Sequence, residues 1–239
     1  MSYADTGRRA IGAPRPRFSQ GPWAAAPLLV VVAAFVAYSL PPYLTLDPSR
    51  SRIPPPPGMT AYYPLLVAHV VFGAIAILTS GFQIWPWFRR RFPAWHRRIG
   101  RLYVFGGVLP AGVVGLAIGA VTPFGPVLRA SDLLLAVVWL AVTVAGLRAA
   151  RAGAILDHRR WMIRSVALTL SVITNRVWAV VWILTLLPQL PTTFGGNEQL
   201  LVQTVAGLSG WLGWTLPLLA VEWWLETRRA RTALQPAPA

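Results

Sequence analysis

The chain has 239 residues, of which 55% are hydrophobic and only 12% are charged. Soluble chains of this length carry about 25% charged residues, so the composition argues against a soluble globular domain. The 22 basic residues are all arginine and outnumber 7 acidic ones, for a formal net charge of +15, and the absence of cysteine excludes disulfides and cysteine-ligated metals.

Six apolar stretches are long enough to cross a membrane. A transmembrane helix needs about 20 mostly apolar residues. The stretches lie at residues 23–40, 62–85, 102–121, 132–147 (extending to 150), 163–187 and 201–225. They are continuous rather than alternating, which favours helices over barrel strands. The sequence therefore predicts an all-α polytopic membrane bundle of six transmembrane helices at 23–225, between a mobile basic N-terminal tail at 1–22 and a C-terminal tail at 226–239.

The arginines are distributed unevenly across this predicted bundle. Eighteen of the 22 lie on one side, in the two tails and in the loops after helices two and four. Arg50, Arg52 and Arg129 lie on the other side, and Arg176 falls inside helix five. The positive-inside rule predicts that both termini are cytoplasmic. We expect a multi-pass protein of the bacterial inner membrane whose basic face contacts anionic lipid, with no role in nucleic-acid binding.

His69 in helix two predicts a polar site in the outer half of the bundle. It lies roughly 10 Å below the outer end of its helix. Small and polar residues continue its face at helical spacing, namely Gly73, Ala76, Ser80 and Gln83. We expect this face to look into the bundle.

Arg176 in helix five is the costliest residue in the apolar stretches, because an unpaired charge there costs at least a few kcal/mol. We expect it to be buried beside Asn175 and at the depth of His69. Asp132 is expected to cap the outer end of helix four rather than to pair with Arg176. An anion, a quinone carbonyl, a haem propionate or main-chain carbonyls would then satisfy the guanidinium, and a purely structural arginine is an equal alternative.

The other two histidines begin helices three and five at the cytoplasmic side. His96 shares a helix face with Gly100 and Tyr103. Gly100 would leave room beside the imidazole for a flat group or for another helix. From His158 a seam runs along helix five through Ser165 and Thr169 to Arg176. Helices three and five run in the same direction, so His96 and His158 are expected at one membrane level.

Two histidines at one level, near arginines, suit the two axial positions of a haem b. In this hypothesis His96 and His158 are the metal ligands, and arginines such as Arg97 and Arg164 pair with the propionates. A metal site of all three histidines is less favoured, because His69 is expected about 15–20 Å away. The alternative is that each histidine, with its arginine neighbours, binds lipid phosphate or caps a helix end.

These motifs resemble a bacterial family of predicted membrane proteins, "domain of unknown function 2306". The resemblance rests on Gly81-Phe82-Gln83 after His69, on His96-Arg97-Arg98-Ile99-Gly100-Arg101-Leu102-Tyr103, and on His158-Arg159-Arg160-Trp161-Met162-Ile163-Arg164, with Arg176 downstream. It covers roughly residues 62–187 and implies no particular reaction. The placement of histidines in a small helical bundle is also similar to that in cytochrome b561-like membrane proteins, a likeness of architecture alone.

No catalytic constellation accompanies these motifs, so whether the protein is an enzyme stays open. The leading hypothesis is electron transfer within the membrane through haem b or a quinone, with a membrane redox partner. The alternative is a non-enzymatic transporter, or an assembly or accessory subunit, whose buried Arg176 binds an anion or stabilises the bundle.

Overall fold

The computed structural model describes residue 21 and residues 23–233. Most of the predicted mobile N-terminal tail and the last six residues of the C-terminal tail lie outside the described residues. Every regular element in the described part of the chain is a helix. The all-α prediction is therefore confirmed.

The bundle consists of helices α1 to α6, one for each predicted stretch. Their bounds are Ala26–Ser39, Tyr62–Ile84, Pro93–Gly119, Gly125–Arg151, Ile155–Leu186 and Glu198–Ala233. Helices α2 to α6 are each long and apolar enough to cross a membrane, whereas α1 has only 14 residues. We call the end of the bundle with the arginine-rich loops the inner end, and the opposite end the outer end.

Several helices extend beyond the predicted stretches. Helix α4 begins at Gly125 rather than at 132, and α5 begins at Ile155 rather than at 163. Helix α6 continues through the predicted tail boundary at 226 to Ala233. Hydropathy ends a stretch at the first charged residues, whereas backbone hydrogen bonding continues through them into the interface.

Helix α3 changes its winding near its middle. Residues Leu102–Val108 form a π-helical segment between two α-helical parts. Pro110 follows at once, and it lacks the N–H that an α-helix would donate to the carbonyl of Gly106. The α-helical ladder is therefore interrupted here, and Tyr103, on the π-helical segment, is completely buried.

Consecutive helices pack against each other from α1 to α6. Helix α4 also contacts α6, and α2 also contacts α5. Helices α2 and α3 approach closely at Gly107, where an added Cβ would lie 2.9 Å from the backbone and Cβ of Ala76. Small residues permit this approach, which lets the two backbones pack in lipid without a hydrophobic driving force between them.

Replacing Gly107 with alanine tests this contact. We expect Gly107→Ala to destabilise the folded protein by about 1–3 kcal/mol, because the methyl group meets backbone rather than a movable side chain. Gly73→Ala in α2 is the matched control, since its Cβ meets no atom within 4 Å, and we expect its stability to be unchanged or slightly raised. Thermal unfolding of both variants in detergent is the measurement, and equal melting temperatures would contradict the close-approach argument.

Candidate functional site

His96 and His158 lie together at the inner end of the bundle. His96 is in the first turn of α3, which begins at Pro93, and His158 is in the first turn of α5. Both rings are partly buried and close enough to interact electrostatically. The structure therefore brings the two predicted ligands to one level, and we call them the inner histidine pair.

His158 is held in a defined orientation by a backbone carbonyl. Its Nδ1 is 2.9 Å from the carbonyl oxygen of Gly146 in α4. A carbonyl oxygen only accepts, so Nδ1 carries the proton and the neutral ring has an unprotonated Nε2. Metal-ligating histidines commonly have this arrangement, in which the second ring nitrogen donates to a carbonyl.

His96 has a different environment. Its Nδ1 is buried and has no hydrogen-bond partner among the described residues, which is unusual for a buried ring nitrogen. Gln83 of α2 donates to the backbone oxygen of His96 at 3.5 Å. The predicted space beside Gly100 is taken by the same glutamine, whose Oε1 lies 3.0 Å from the position of an added Cβ. The occupant is therefore a neighbouring helix, α2, which is one of the two predicted alternatives, rather than a flat group.

Positive charge surrounds the pair. Arg89 and Arg97 both interact electrostatically with His96. Partial burial lowers the pKa of Arg89 from its usual value, and the positive charges of Arg159 and Arg90 lower it further. An anionic group bound here would relieve this repulsion.

Arg164 is engaged by another helix rather than directed at the histidines. Its Nε donates to Glu222 Oε1 of α6 at 2.5 Å, and its Nη2 donates to Oε2 at 2.7 Å. The guanidinium also lies 4.8 Å from the centre of the Trp161 ring. This bidentate ion pair was missed at the sequence level, since the two residues are far apart in the chain and their facing depends on how α5 and α6 pack.

Tyr103 belongs to a cluster of hydroxyl groups in the middle of the bundle. Its oxygen lies 2.7 Å from both Ser165 Oγ and Thr169 Oγ1 of α5. Thr143 of α4 bonds Ser165 at 2.7 Å, and the Trp139 indole donates to Thr169 at 3.0 Å. This hydroxyl cluster confirms that the inner half of the predicted α5 seam faces the interior, and it separates the inner histidine pair from the outer polar residues.

His69 of α2 faces α3, in the outer half of the bundle. Its Nδ1 is 3.0 Å from the carbonyl oxygen of Ala111, so Nδ1 donates and Nε2 is left as an acceptor. Gly115, one turn beyond Ala111, leaves room for the ring, since an added Cβ would lie 3.2 Å from His69 Cε1. His69 is thus partly buried and oriented, as the predicted face of α2 requires.

Arg176 is exposed at the surface of the monomer, so its predicted burial is wrong. Its Nη1 donates to the side-chain oxygen of the adjacent Asn175 at 3.5 Å. The seam that carries it is covered by Tyr103 and Trp139 only as far as Thr169. Beyond that point the described helices leave this face of α5 partly open, as the 37% exposure of Val172 indicates.

Asp132 does not cap α4, because the helix begins two turns earlier at Gly125. Its side chain is partly buried, and its Cβ would lie 3.2 Å from a Cβ added to Gly119 of α3. It interacts electrostatically with Arg176 and with Tyr62. Asp132 is therefore the acidic neighbour of Arg176 that the predicted helix boundary concealed.

The protein side chains by themselves do not form a metal centre in the part of the chain that the structure describes. No group of three or more His, Asp or Glu side chains there is placed to hold a metal ion. A metal at the inner histidine pair would have to arrive with ligands of its own, as the iron of haem does.

Comparison with known proteins places the chain in a family but assigns no activity. Residues 66–223, well over half of the chain, match the family model DUF2306, described as a predicted membrane protein. No curated protein and no solved structure matches the chain. The match agrees with the apolar helices, and the protein is an integral membrane protein.

The ion pair between α5 and α6 is testable by a double-mutant cycle. We expect Arg164→Gln and Glu222→Gln to lower the free energy of unfolding with a coupling of about 1–2 kcal/mol, since the pair is bidentate and only partly exposed, with side-chain exposures of 17% and 38%. The matched control is Arg160→Gln with Asp157→Asn, an exposed pair 3.7 Å apart, for which coupling should stay below about 0.5 kcal/mol. Equal coupling in the two cycles would refute the distinction.

Proposed function

Because the chain belongs to the DUF2306 family of predicted membrane proteins, we propose a function inside the bilayer, namely electron transfer through a haem b bound by the inner histidine pair. His96 and His158 are the proposed ligands of the iron. No reaction is assigned to the family, so the proposal rests on the inner histidine pair itself. The observation that carries it is the position of two histidines in the first turns of two parallel helices, close enough to interact electrostatically.

The state of each ring supports ligation. The Gly146 carbonyl fixes the tautomer and orientation of His158, which leaves Nε2 for a metal. His96 has a buried Nδ1 without a hydrogen-bond partner among the described residues. Coordination of an iron by the ring would either give this nitrogen a partner or rotate the ring so that the nitrogen reaches one. Haem supplies a one-electron redox centre whose potential is tuned by its axial ligands and surroundings.

The arginines near the pair support an anionic cofactor. Arg89, Arg97 and Arg159 are available to pair with propionates, and the mutual repulsion around Arg89 favours a bound anion. The predicted propionate partner Arg164 serves less well, since Glu222 already holds it in a bidentate pair.

The rival function depends on Arg176. A transporter or accessory subunit would use this arginine to bind an anion or to stabilise the bundle. Its exposed side chain and nearby Asp132 weaken both versions, because a carboxylate opposes the binding of an anion and an exposed side chain contributes little to helix packing. Anion binding that depends on Arg176 would be the result that favours this rival function.

A spectrum of the purified full-length protein tests the haem proposal. After expression with added haem, we expect a Soret band that shifts on reduction with dithionite. His158→Ala and His96→Ala should each lose the bound haem, and His69→Ala, in the outer half of the bundle, is the matched control that should retain it. A wild-type protein without a Soret band, before and after incubation with haemin, would refute the proposal.

We also propose that α1 crosses the membrane, giving six spans with both termini in the bacterial cytoplasm. The helical backbone continues from α1 through Leu40 into a short helix at Pro41–Leu44, and 19 residues are about 28 Å long. The segment follows the whole length of α2, from Gly21, which accepts from the Trp85 indole at 3.4 Å, to Tyr43, which packs with Tyr62. This position alongside a candidate spanning helix supports the proposal that the segment also spans.

Single cysteines test this topology cleanly, because the chain has none of its own. We expect a membrane-impermeant maleimide to label Ser51→Cys and Asn197→Cys from outside intact spheroplasts. Ala152→Cys and Ser19→Cys, the latter outside the described residues, should react only after permeabilisation. Labelling of Ser19→Cys from the outside would mean that α1 does not cross and that the protein has five spans.

A further inference from the structure

The outer half of α5 leaves one face uncovered beside α1 and α2, and we call the space next to this face the outer groove. In the middle of the bundle Leu170 and Ile173 of α5 pack against a cluster formed by Val32 and Val36 of α1 and Ile77 of α2. Farther outward α5 presents an exposed apolar face, with Val177 59% and Leu184 70% exposed. Val177 and Leu184 continue the face of Leu170 and Ile173 at helical spacing, so neither α1 nor α2 covers the outer half of this face.

Helix α2 supplies one wall of this groove. His69 and Gly73 are four residues apart and lie on one face of α2. A Cβ added to Gly73 meets no atom within 4 Å, so there is open space on this face. His69 is anchored through Nδ1 to the Ala111 carbonyl, and its Nε2 makes no hydrogen bond within the described residues.

Helices α3 and α4 supply the floor. Gly115 and Gly119 lie one turn apart on α3, the first against His69 and the second against Asp132. The two side chains are therefore separated by about one helical turn, or roughly 6 Å along α3. Both glycines leave the room that these side chains occupy.

Helix α5 supplies the third polar group. Arg176 is exposed on the seam face, one turn beyond Val172, and it interacts electrostatically with Asp132. The groove thus combines an acceptor on His69, a carboxyl group on Asp132 and a guanidinium donor on Arg176. Asp132 offsets the charge of Arg176, which disfavours a free anion.

We propose that this outer groove binds the head group of a membrane quinone or quinol. A quinone has two oxygen atoms on an uncharged ring and an apolar tail, which match the donor, the acceptors and the exposed apolar face of α5. Arg176 donates to one oxygen, and His69 Nε2 accepts from the hydroxyl of the reduced form. A redox role for this site rests on the proposed function, because a quinone is a lipid-soluble electron partner for a haem.

Binding of decylubiquinone to the full-length protein in nanodiscs tests the proposal, with quenching of the intrinsic tryptophan fluorescence as the signal. We expect saturable binding that Arg176→Gln weakens at least tenfold. Gly73→Leu, which fills the open space without altering a polar group, should abolish it. Arg129→Gln, an exposed arginine at the outer end of α4, is the matched control and should bind like the wild type.

Two results would overturn the quinone site. One is quenching that is equal in all variants or in empty nanodiscs, which would mean partitioning into lipid. The other is Arg176-dependent binding of sulfate or phosphate without quinone binding, which would favour the anion alternative. Because binding is measured without haem, quinone binding without a Soret band would refute only the proposed function, and a Soret band without quinone binding would refute only this inference.

Discussion

Inside a bilayer no water is available to a buried polar group, so each must find a partner within the protein. The hydroxyl cluster around Tyr103 meets this constraint where α3, α4 and α5 come together. Tyr103 bonds Ser165 and Thr169 of α5, and Thr143 and Trp139 of α4 bond the same two residues. Because the hydrophobic effect gives little reason for helices to associate in lipid, these bonds set the level and rotation of three helices at once.

Close backbone approach governs the remaining contacts. Gly107 brings α3 against Ala76 of α2, and Gly213 brings α6 against the backbone of Asn175 in α5. The outer half of α5 is therefore held by α6 and not by α2. The groove that contains His69 and Arg176 lies where neither hydroxyl hydrogen bonds nor small residues hold the outer half of α5 against α2.

The candidate sites were predictable to different degrees. Helix direction and the position of each histidine near a helix start were sufficient to predict that His96 and His158 lie at one level. The surroundings of each ring were not predictable, because the Gly146 carbonyl, Gln83 and Arg89 belong to other helices or loops. The predictions for Arg176 and Asp132 were wrong for a common reason. The spacing of residues along one helix predicts which of them share a face, whereas burial depends on whether a neighbouring helix covers that face.

Taken alone, the sequence determined the helical class, the number and order of the apolar stretches, and the concentration of arginines at one end, since these follow from hydropathy and charge along the chain. Only the tertiary structure decided which polar groups meet. The pairing of Arg164 with Glu222 across α5 and α6, the neighbourhood of Asp132 and Arg176, and the space beside Gly73 all join residues of different helices. Their separation depends on how those helices rotate and approach, which periodicity within a single helix does not specify.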